Sequence, residues 1–479
     1  MTKTKRGSII EPLFNIIYIR KQRFMIPNRF NNILYLADSN GTGFYRALQP
    51  VNQIWSLGPS TGINNSILFR PVGDAEYYKN LNSLMIQRWI HDPQIDMMKR
   101  FLYPVSHRFN FWTIYNIDDA MGDNDIPRYN RGRRAFVGKH IQDNIRYMLN
   151  SSDFILTTTD YIKEYYHKTY DVPLENIICI PNYLPYWWIG CLFDKDRNID
   201  RFKKNKGGKI RVGVVSSLSH FNVDGVRLGK DNKSLYRDEE DGKVTYHNED
   251  GVEISENEFN DAELVKDDLD LILETIEKTV DRYQWVFFGY APPKLQKYIE
   301  QKKIEIHQGV PIIDYPKELA KLNLDVIVAP IIDDEFNRCK SNIKYLESAA
   351  IGVPIFCSKV NPTYVKYMPE HQLFSDARDL FEKLDKFQNQ SINRYTSIIE
   401  EQWKFLNSPH NECGIKSPDW WLEHNLKPWN DLFTMRGRSQ EVELTAYVQV
   451  KKEIEEKKKQ EQEKKVLFET QDKKVQILS

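Results

Sequence analysis

The sequence is poor in cysteine. Five cysteines occur in 479 residues, no two of them are close together, and their odd number prevents complete pairing. This pattern excludes a disulfide framework and a zinc site built from paired cysteines. Buried thiols in a reducing compartment are expected instead, which predicts a cytoplasmic protein. The five residues are Cys179, Cys191, Cys339, Cys357 and Cys413.

The chain also lacks a long hydrophobic run and a net charge. No segment approaches the ~20 apolar residues of a membrane-spanning helix, and the N-terminal stretch MTKTKRGSIIEPLF lacks the apolar core and cleavage site of a signal peptide. No stable membrane insertion is therefore expected. Lys and Arg together number 67, as do Asp and Glu. No global field attracts nucleic acid, so such a partner must be held by a local patch.

What the sequence does contain is an alternation of short apolar runs and amphipathic segments. Between residues 207 and 358 the apolar runs are apolar on both faces, which is typical of parallel strands covered by helices. This part of the chain predicts a doubly wound α/β domain. The predicted strands are 209–217, 284–290, 304–309, 324–332 and 353–358, and the predicted helices are 267–283, 292–303, 315–323 and 340–351.

The first 200 residues repeat this alternation less regularly. Two α/β domains are therefore predicted, and the cleft between two such sheets is a natural ligand site. The candidate strands of the first domain are 32–38, 83–89, 110–118, 154–159 and 177–182. The predicted segments are a first domain at 1–200, a second domain at 207–415, a return segment at 416–438 and a charged tail at 439–479.

Two polar segments stand apart from this pattern. Residues 222–262 predict an insertion after the first strand of the second domain, with a hairpin turn near Asp250-Gly251. The tail at 439–479 is dominated by Lys, Glu and Gln, which predicts an exposed helix or a disordered, solubilising segment.

Five short motifs follow one another along the chain. They are NGTGFYRALQP (40–50), YNIDDAMGDNDIP (115–127), IICIPNYLPYWW (177–188), VGVVSSLSH (212–220) and FNRCKSNIKYLESAAIGVP (336–354). Together they resemble the GT-B glycosyltransferases, in particular the large retaining group called family 4, over roughly residues 32 to 360. The most similar branch occurs in bacterial polysaccharide clusters and in bacteriophages. The resemblance implies two Rossmann-like domains that face a cleft.

The last motif is the one that the resemblance assigns to the sugar-nucleotide donor. At about 100° per residue, Lys340, Ser341, Lys344 and Glu347 share one helix face. A helix N-terminus suits a diphosphate, so Lys340, Ser341, Asn342 and Lys344 are expected to bind it. The resemblance assigns Glu347 to the ribose hydroxyls. The same pattern is also typical of a surface helix with a solvent-facing Lys344–Glu347 pair.

Further diphosphate contacts are expected from two other loops. Ser216, Ser217 and His220 follow a strand and can close over the diphosphate from the opposite side, although an ordinary polar turn gives the same sequence. Gly41 and Gly43 allow a backbone path that another side chain would block.

The resemblance assigns the nucleotide base to the backbone of HQGVP, which makes Gly309 and Val310 the base-binding residues and leaves the base open. One position departs from the family pattern. The first glutamate of the family's motif, eight residues before the second, is Cys339 here. Contact with the donor sugar is then expected from Asn337 or Arg338.

Asp118 and Asp119 are the candidate catalytic residues. They end a predicted strand that points at the cleft, and Asp118 replaces a histidine that is common in the family. A carboxylate at this place can bind sugar hydroxyls or take the acceptor proton. A helix N-cap, or a salt bridge to the arginines downstream, explains the pair equally well.

Arginines are the candidate acceptor contacts. Arg46 follows the two glycines, where it can face phosphate or acceptor. The most basic local stretch, PRYNRGRRAFVGKH, suits an anionic acceptor such as DNA, although such a run is more often a solvated helix start. Its arginines are Arg128, Arg131, Arg133 and Arg134.

The sequence thus predicts a glycosyltransferase that moves a sugar from a nucleoside-diphosphate sugar to a hydroxyl acceptor. A UDP-sugar is the expected donor. Retention and independence of an obligatory metal or cofactor are expected. A hydroxymethylated base in phage DNA is one acceptor hypothesis, and a surface polysaccharide or glycolipid is another. The substitutions at positions 118 and 339 also fit an inactive sugar-nucleotide-binding or scaffold protein.

Overall fold

The computed structural model describes seven ranges of the chain. They are 30–37, 41–56, 61–122, 125–185, 187–188, 192–406 and 418–435, with side chains in the last range from residue 425 onward. The predicted tail at 439–479 lies outside these residues.

The first domain is built around a six-stranded sheet. Its strands are β1 (Phe30–Tyr35), β2 (Ile63–Leu68), β3 (Ser83–Gln87), β4 (Trp112–Asn116), β5 (Phe154–Thr157) and β6 (Ile177–Cys179). They lie in the order β2-β1-β3-β4-β5-β6, and every neighbouring pair is parallel. Strands β3, β4 and β5 are almost wholly buried, as expected for a parallel sheet covered by helices.

The second domain is built around another parallel six-stranded sheet. Its strands are β7 (Arg211–Ser216), β8 (Gln284–Gly289), β9 (Ile304–Gln308), β10 (Val326–Ala329), β11 (Ile355–Ser358) and β12 (Leu373–Phe374). Their order, β9-β8-β7-β10-β11-β12, is that of a Rossmann fold. In such sheets ligands bind outside the carboxyl ends of the strands, where the order reverses, so the ends of β7 and β10 mark the expected site.

Helices cover the faces of both sheets. In the first domain they are Gly41–Gly43, continuing through the π-helical turn Phe44–Leu48 into Gln49–Ser56, then Asp92–Met97, Met98–Leu102 (π-helical), Tyr103–Phe109, Arg133–Phe136, Lys139–Ser151 and Asp160–Tyr170. In the second they are Lys195–Lys206, Leu273–Thr279, Gln296–Glu300, Tyr315–Lys321, Glu335–Arg338, Ile343–Ile351, Pro362–Tyr367, Ala377–Asn389 and Ile392–Leu406. No helix in the described ranges is long and apolar enough to cross a bilayer.

The segment between β7 and β8 carries a separate four-stranded sheet. Its longest pair is an antiparallel hairpin of Ser234–Glu240 with Lys243–Asn248, which turns at Asp241-Gly242. The predicted turn at Asp250-Gly251 exists, but the chain that follows it forms only one isolated bridge, between Glu253 and His247, and no second strand. The prediction missed the main hairpin because the polar strand Ser234–Glu240 has no apolar alternation to reveal it.

The last described helix, Pro418–Phe433, returns to the first domain. The Asn32 amide donates to the Phe433 carbonyl at 3.0 Å, and the Arg46 guanidinium lies 5.0 Å from the centre of the Trp429 ring. The helix Ile343–Ile351 of the second domain shares an apolar cluster with these residues through Leu346, Ala349 and Ala350. Both helices therefore join the two domains.

The ten strands predicted from apolar runs are all present, each shorter than predicted by one to five residues, and β1 begins two residues before the predicted start. Two strands of the two six-stranded sheets were missed. The edge strand β2 has the sequence INNSIL, in which polar residues interrupt the apolar pattern, and β12 has only two residues. The predicted helix 267–283 is divided into the 3-10 turn Asp268–Leu271 and the helix Leu273–Thr279.

Gly352 is predicted to be intolerant of a side chain. It ends the helix Ile343–Ile351 in the left-handed conformation, with φ +67°, and an added Cβ would lie 2.6 Å from the Asn198 amide nitrogen. Gly352→Ala should cost ~1–2 kcal/mol of backbone strain, together with the cost of this clash. Gly242→Ala is the matched control, because φ is +76° and nothing lies within 4 Å of its Cβ. Equal losses in urea unfolding would contradict the clash.

Candidate active site

A cleft of about 1190 Å³ lies where the carboxyl ends of the two sheets face each other. Its volume exceeds the ~300–1,000 Å³ of ordinary small-molecule sites, so it has room for a donor and part of an acceptor. Most residues assigned from the sequence line it, namely Gly41, Asp118, Asp119, Arg131, Ser216, Ser217, His220, Gly309, Val310, Lys340, Ser341, Lys344 and Glu347.

Glu347 lines one wall of the cleft with Lys340, Ser341 and Lys344, and this wall is called the donor wall below. Its side chain is buried, and it accepts hydrogen bonds from the Tyr45 hydroxyl at 2.9 Å, the Tyr315 hydroxyl at 2.8 Å and the Lys344 ammonium at 3.0 Å. The Lys344–Glu347 pair that a surface helix would show is therefore present, but the Glu347 carboxylate does not face solvent. Burial raises the pKa of both tyrosines well above the usual range, so their hydroxyls stay protonated and donate.

The helix that carries Glu347 starts later than predicted. It begins at Ile343, with Asn342 as its N-cap residue. Lys340 and Ser341 lie in the preceding turn and still line the cleft, whereas Asn342 is buried and does not. The prediction for Asn342 concerned its backbone amide, and it stays a prediction. The first amides of the helix have no partners within the helix, which suits an anion.

Two carboxylates and two cationic side chains form a cluster on the side of the cleft opposite Glu347. Arg88 donates through Nε to Asp118 at 2.7 Å and through Nη2 to Asp119. Lys340 of the second domain lies 3.3 Å from the Asp119 carboxylate. Arg88 has φ +47°, a strained conformation for a residue other than glycine, of the kind often found at functional sites.

The charges around Asp119 decide its chemistry. Burial disfavours its ionised form, but the Lys340 ammonium and the Arg88 guanidinium outweigh burial and lower the pKa of the carboxyl to about 2. A carboxylate with so low a pKa is a poor general base near neutral pH. Asp119 instead holds Lys340 and Arg88 in place.

His220 faces the cleft from the second domain. Its Nδ1 lies 2.7 Å from a carboxylate oxygen of the fully buried Asp268. The other Asp268 oxygen accepts from the Tyr129 hydroxyl at 3.0 Å and from the Ile332 amide at 2.8 Å. These contacts fix the imidazole, and Nε2 has no hydrogen-bond partner among the described residues. Nε2 is thus available to a ligand in the cleft.

The predicted base-binding segment lies beside β8. Gly309 and Val310 line the cleft together with Phe288, Gly289 and Tyr315. The Phe288 and Tyr315 rings stack with centres 5.5 Å apart. Gly289 has φ +107°, and a Cβ there would lie 2.3 Å from the Ser216 carbonyl oxygen, so only glycine lets β8 end so close to β7.

Arg46 is not an acceptor contact. It is fully buried, and it donates to the Ile180 carbonyl at 2.6 Å, the Thr157 carbonyl at 3.0 Å and the Asn182 side-chain oxygen at 3.2 Å. Burial lowers the pKa of its guanidinium to about 10, so it is still charged at neutral pH. The assignment from the sequence was wrong because Arg46 faces the sheet and ties the ends of β5 and β6 together.

The arginine patch is mostly occupied by the protein itself. Arg134 pairs with Asp238 at 2.9 Å and lies 3.8 Å from the centre of the Tyr236 ring. Arg128 donates to the Ser234 hydroxyl at 3.1 Å, and the buried Arg133 donates to the Ile126 carbonyl. Of the patch only Arg131 lines the cleft. Arg128 and Arg134 therefore dock the inserted sheet onto the first domain and do not present a free anion-binding surface.

Three smaller expectations also need correction, those for Gly43, Asn337 and Arg338. Gly43 is buried inside a helix with φ −62°, a conformation open to any residue. Cys339, which occupies the position of the family's first glutamate, is buried in the apolar core of the first domain and does not line the cleft. Asn337 and Arg338 do not line the cleft either. Arg338 pairs with Asp333 at 2.6 Å, outside it.

Several residues of the site were missed from the sequence. The quoted motifs contain Tyr45 and Asn182, so a signal was present for these two. Arg88, Asp268 and Tyr315 belong to separate elements, and no local pattern marks them. Within the described residues, no group of three or more His, Cys, Asp or Glu side chains is placed to hold a metal ion.

Asp119→Asn should lower the free energy of unfolding at pH 7 by about 2 kcal/mol, the equivalent of a pKa lowered to about 2. Because the folded pKa lies below the unfolded one, this stabilisation is complete above about pH 5 and is lost as the pH falls through about 4 towards 2. Urea unfolding at pH 7, 5, 4 and 3 should show the difference shrink.

The control for this variant is Asp96→Asn, which removes an exposed pair with Arg100 and should change little at any pH. An Asp119→Asn protein as stable as the wild type at pH 7 would show that burial cancels the two ion pairs.

Arg134→Ala should loosen the inserted sheet, because it removes both the Asp238 ion pair and the Tyr236 contact. Limited proteolysis with a glutamate-specific protease should cleave faster at the exposed Glu239 and Glu240. Arg100→Ala, which breaks an ion pair elsewhere on the first domain, is the control. Cleavage at an unchanged rate in Arg134→Ala would contradict the docking role.

No protein-family model matches the sequence, and no curated protein matches it. Solved structures do. Sucrose-phosphate synthase from Thermosynechococcus elongatus is similar with a TM-score of 0.53 at 12% identity, over 85% of this chain and 98% of that one. A glycosyltransferase from Rickettsia africae is similar with a TM-score of 0.50 at 12% identity, over 85% and 99%. At such identities the likeness concerns the fold alone, and it confirms the predicted architecture: two Rossmann-like domains facing a cleft, the GT-B fold.

Proposed function

We propose that this protein is a glycosyltransferase that moves a sugar from a nucleoside-diphosphate sugar to a hydroxyl acceptor. The observation that carries the proposal is the wall formed by Lys340, Ser341, Lys344 and Glu347, which meets Arg88 across the cleft between the two sheets. In this proposal the second domain, 207–415, binds the donor and the first domain, 1–200, receives the acceptor.

The donor fits this wall by exchange of partners. Glu347 accepts the ribose hydroxyls in place of the Tyr45 and Tyr315 hydroxyls, and Lys344 moves from Glu347 to the phosphates. Lys340 and Ser341 meet the second phosphate beside the helix N-terminus. Base contacts come from the backbone of Gly309 and Val310. A UDP-sugar is the first donor to test, and the identity of the base is left to that test.

The cations around the cleft suit one catalytic task, which is to neutralise the charge of the departing diphosphate. The departing diphosphate gains negative charge, and Lys340, Lys344 and Arg88 stand where that charge develops. We propose that these cations make a metal ion non-obligatory. Asp118 takes the acceptor proton in this scheme, and His220 approaches the phosphates from the other side. Retention of configuration is proposed from the family resemblance.

The acceptor proposal is narrower than the sequence suggested. A hydroxymethylated base in DNA is still one candidate, but Arg128 and Arg134 are engaged by the inserted sheet and lend it no support. A polysaccharide or glycolipid hydroxyl is the other candidate. Arg131, exposed at the cleft and 3.8 Å from Asp224, is the patch residue available to either. Arg131→Ala should weaken an anionic acceptor and spare a neutral one.

The donor proposal predicts which ligand stabilises the protein. One of UDP, GDP, ADP, CDP and dTDP should raise the unfolding temperature of the wild type, since a ligand at about a hundred times its dissociation constant adds ~2.7 kcal/mol. Glu347→Gln should bind that nucleotide about tenfold or more weakly, because a charged hydrogen bond to the ribose is worth ~1.5–3 kcal/mol.

Glu274→Gln is the matched control, because Glu274 is paired with Lys278 on the exposed face of the helix Leu273–Thr279 in the same domain. Its nucleotide affinity should equal that of the wild type. Stabilisation by no nucleotide would end the proposal. Binding without release or transfer of the sugar would favour the second candidate, an inactive sugar-nucleotide-binding protein. The buried Cys339 supports this candidate because it occupies the position of the family's first glutamate.

A further inference from the structure

Asn182 connects a buried charge in the first domain to a hydroxyl in the second. Arg46 donates through Nη1 to the Asn182 side-chain oxygen at 3.2 Å, and the Asn182 amide nitrogen donates to the Ser341 hydroxyl oxygen at 3.0 Å. Both Asn182 and Ser341 line the cleft, whereas Arg46 is fully buried beneath it. The three side chains form one continuous row of hydrogen bonds across the domain boundary.

The direction of these bonds is fixed by Arg46. A guanidinium only donates, so it must face the oxygen of the Asn182 amide, and the amide NH₂ must then face Ser341. Because the Ser341 oxygen accepts this bond, its own hydrogen has to point elsewhere. Among the described residues no acceptor is present for that hydrogen, and the cleft lies beside it.

The charge of Arg46 is not cancelled by a direct partner. Its other donors reach the Ile180 and Thr157 carbonyls and the Asn116 side-chain oxygen. No carboxylate in the described ranges forms an ion pair with it. The guanidinium thus polarises the Asn182 amide and adds positive potential beneath the same side of the cleft.

We infer that Asn182 is a positioning residue that makes the Ser341 hydroxyl a hydrogen-bond donor to a phosphate of a nucleoside diphosphate. The inference deepens the proposed function and rests on it. Asn182 does not need to touch the ligand itself. Arg46 fixes the orientation of the Asn182 amide, and that amide donates to the Ser341 oxygen across the domain boundary. The Ser341 hydroxyl hydrogen is then directed to the anion.

The decisive variant is Asn182→Asp, which keeps the shape of the side chain and reverses its polarity. The new carboxylate can pair with Arg46, so the protein should be at least as stable as the wild type in urea. It accepts from the Ser341 hydroxyl, however, and turns the hydrogen away from the phosphate. Affinity for the best-binding nucleoside diphosphate among UDP, GDP, ADP, CDP and dTDP should fall about tenfold or more in titration calorimetry.

A double-mutant cycle separates the hydroxyl from the added charge. Ser341→Ala alone should also weaken binding about tenfold. In the Ser341→Ala background, Asn182→Asp should cost several-fold less than it does alone, because the repulsion by the new carboxylate is common to both backgrounds. Asn389→Asp, at an exposed position on the helix Ala377–Asn389, adds the same charge far from the cleft and should leave affinity unchanged.

Each contrary result has a different meaning. An additive cycle, or an Asn182→Asp variant with wild-type affinity, would overturn the positioning role while the proposed function stood. An Asn182→Asp protein less stable than the wild type would contradict the contact with Arg46 on which the inference depends. If no nucleoside diphosphate bound the wild type, the proposed function itself would fail, and this inference with it.

Discussion

The ion pair between Asp119 and Lys340 is the contact on which the site depends, because it joins the two domains within the cleft. The other cations around the cleft are held in the same way. Glu347 holds Lys344 in the donor wall, and Asp118 and Asp119 hold Arg88 on the opposite side. Such pairs fix the positions of the charges before a ligand arrives. In the proposed function an incoming anion exchanges one partner for another, which spares much of the reorganisation that free lysines would require.

One short helix explains why the donor wall is so well defined. The helix Ile343–Ile351 turns Leu346, Ala349 and Ala350 towards the apolar cluster of the first domain, and it turns Lys344 and Glu347 towards the cleft. A surface helix would pack only its apolar face against the protein. In this helix the polar face also contacts protein, because the Tyr45 hydroxyl of the first domain donates a hydrogen bond to Glu347. The same packing that joins the domains therefore orients the carboxylate.

The sequence was sufficient for the buried strands and insufficient for long-range partners. Strands such as β7 and β10 are apolar on both faces, and this property is local and readable. The arginine patch was misinterpreted because the acid that binds Arg134 lies 104 residues further along the chain. Asp268 went unnoticed for the same reason, since Tyr129 and His220 reach it from separate segments. Local patterns identify the elements, and only the fold identifies their partners.

The inserted sheet limits the kind of acceptor that the cleft can receive. Residues 222–262 contain twelve acidic and five basic residues, and this segment lies against the arginines that a polyanion would need. A strand of nucleic acid would have to displace those acids and to approach the rest of the insertion against its charge. A neutral or singly charged hydroxyl compound meets no such barrier. For the proposed transferase, the electrostatics of the insertion thus favour a saccharide acceptor over a nucleic acid.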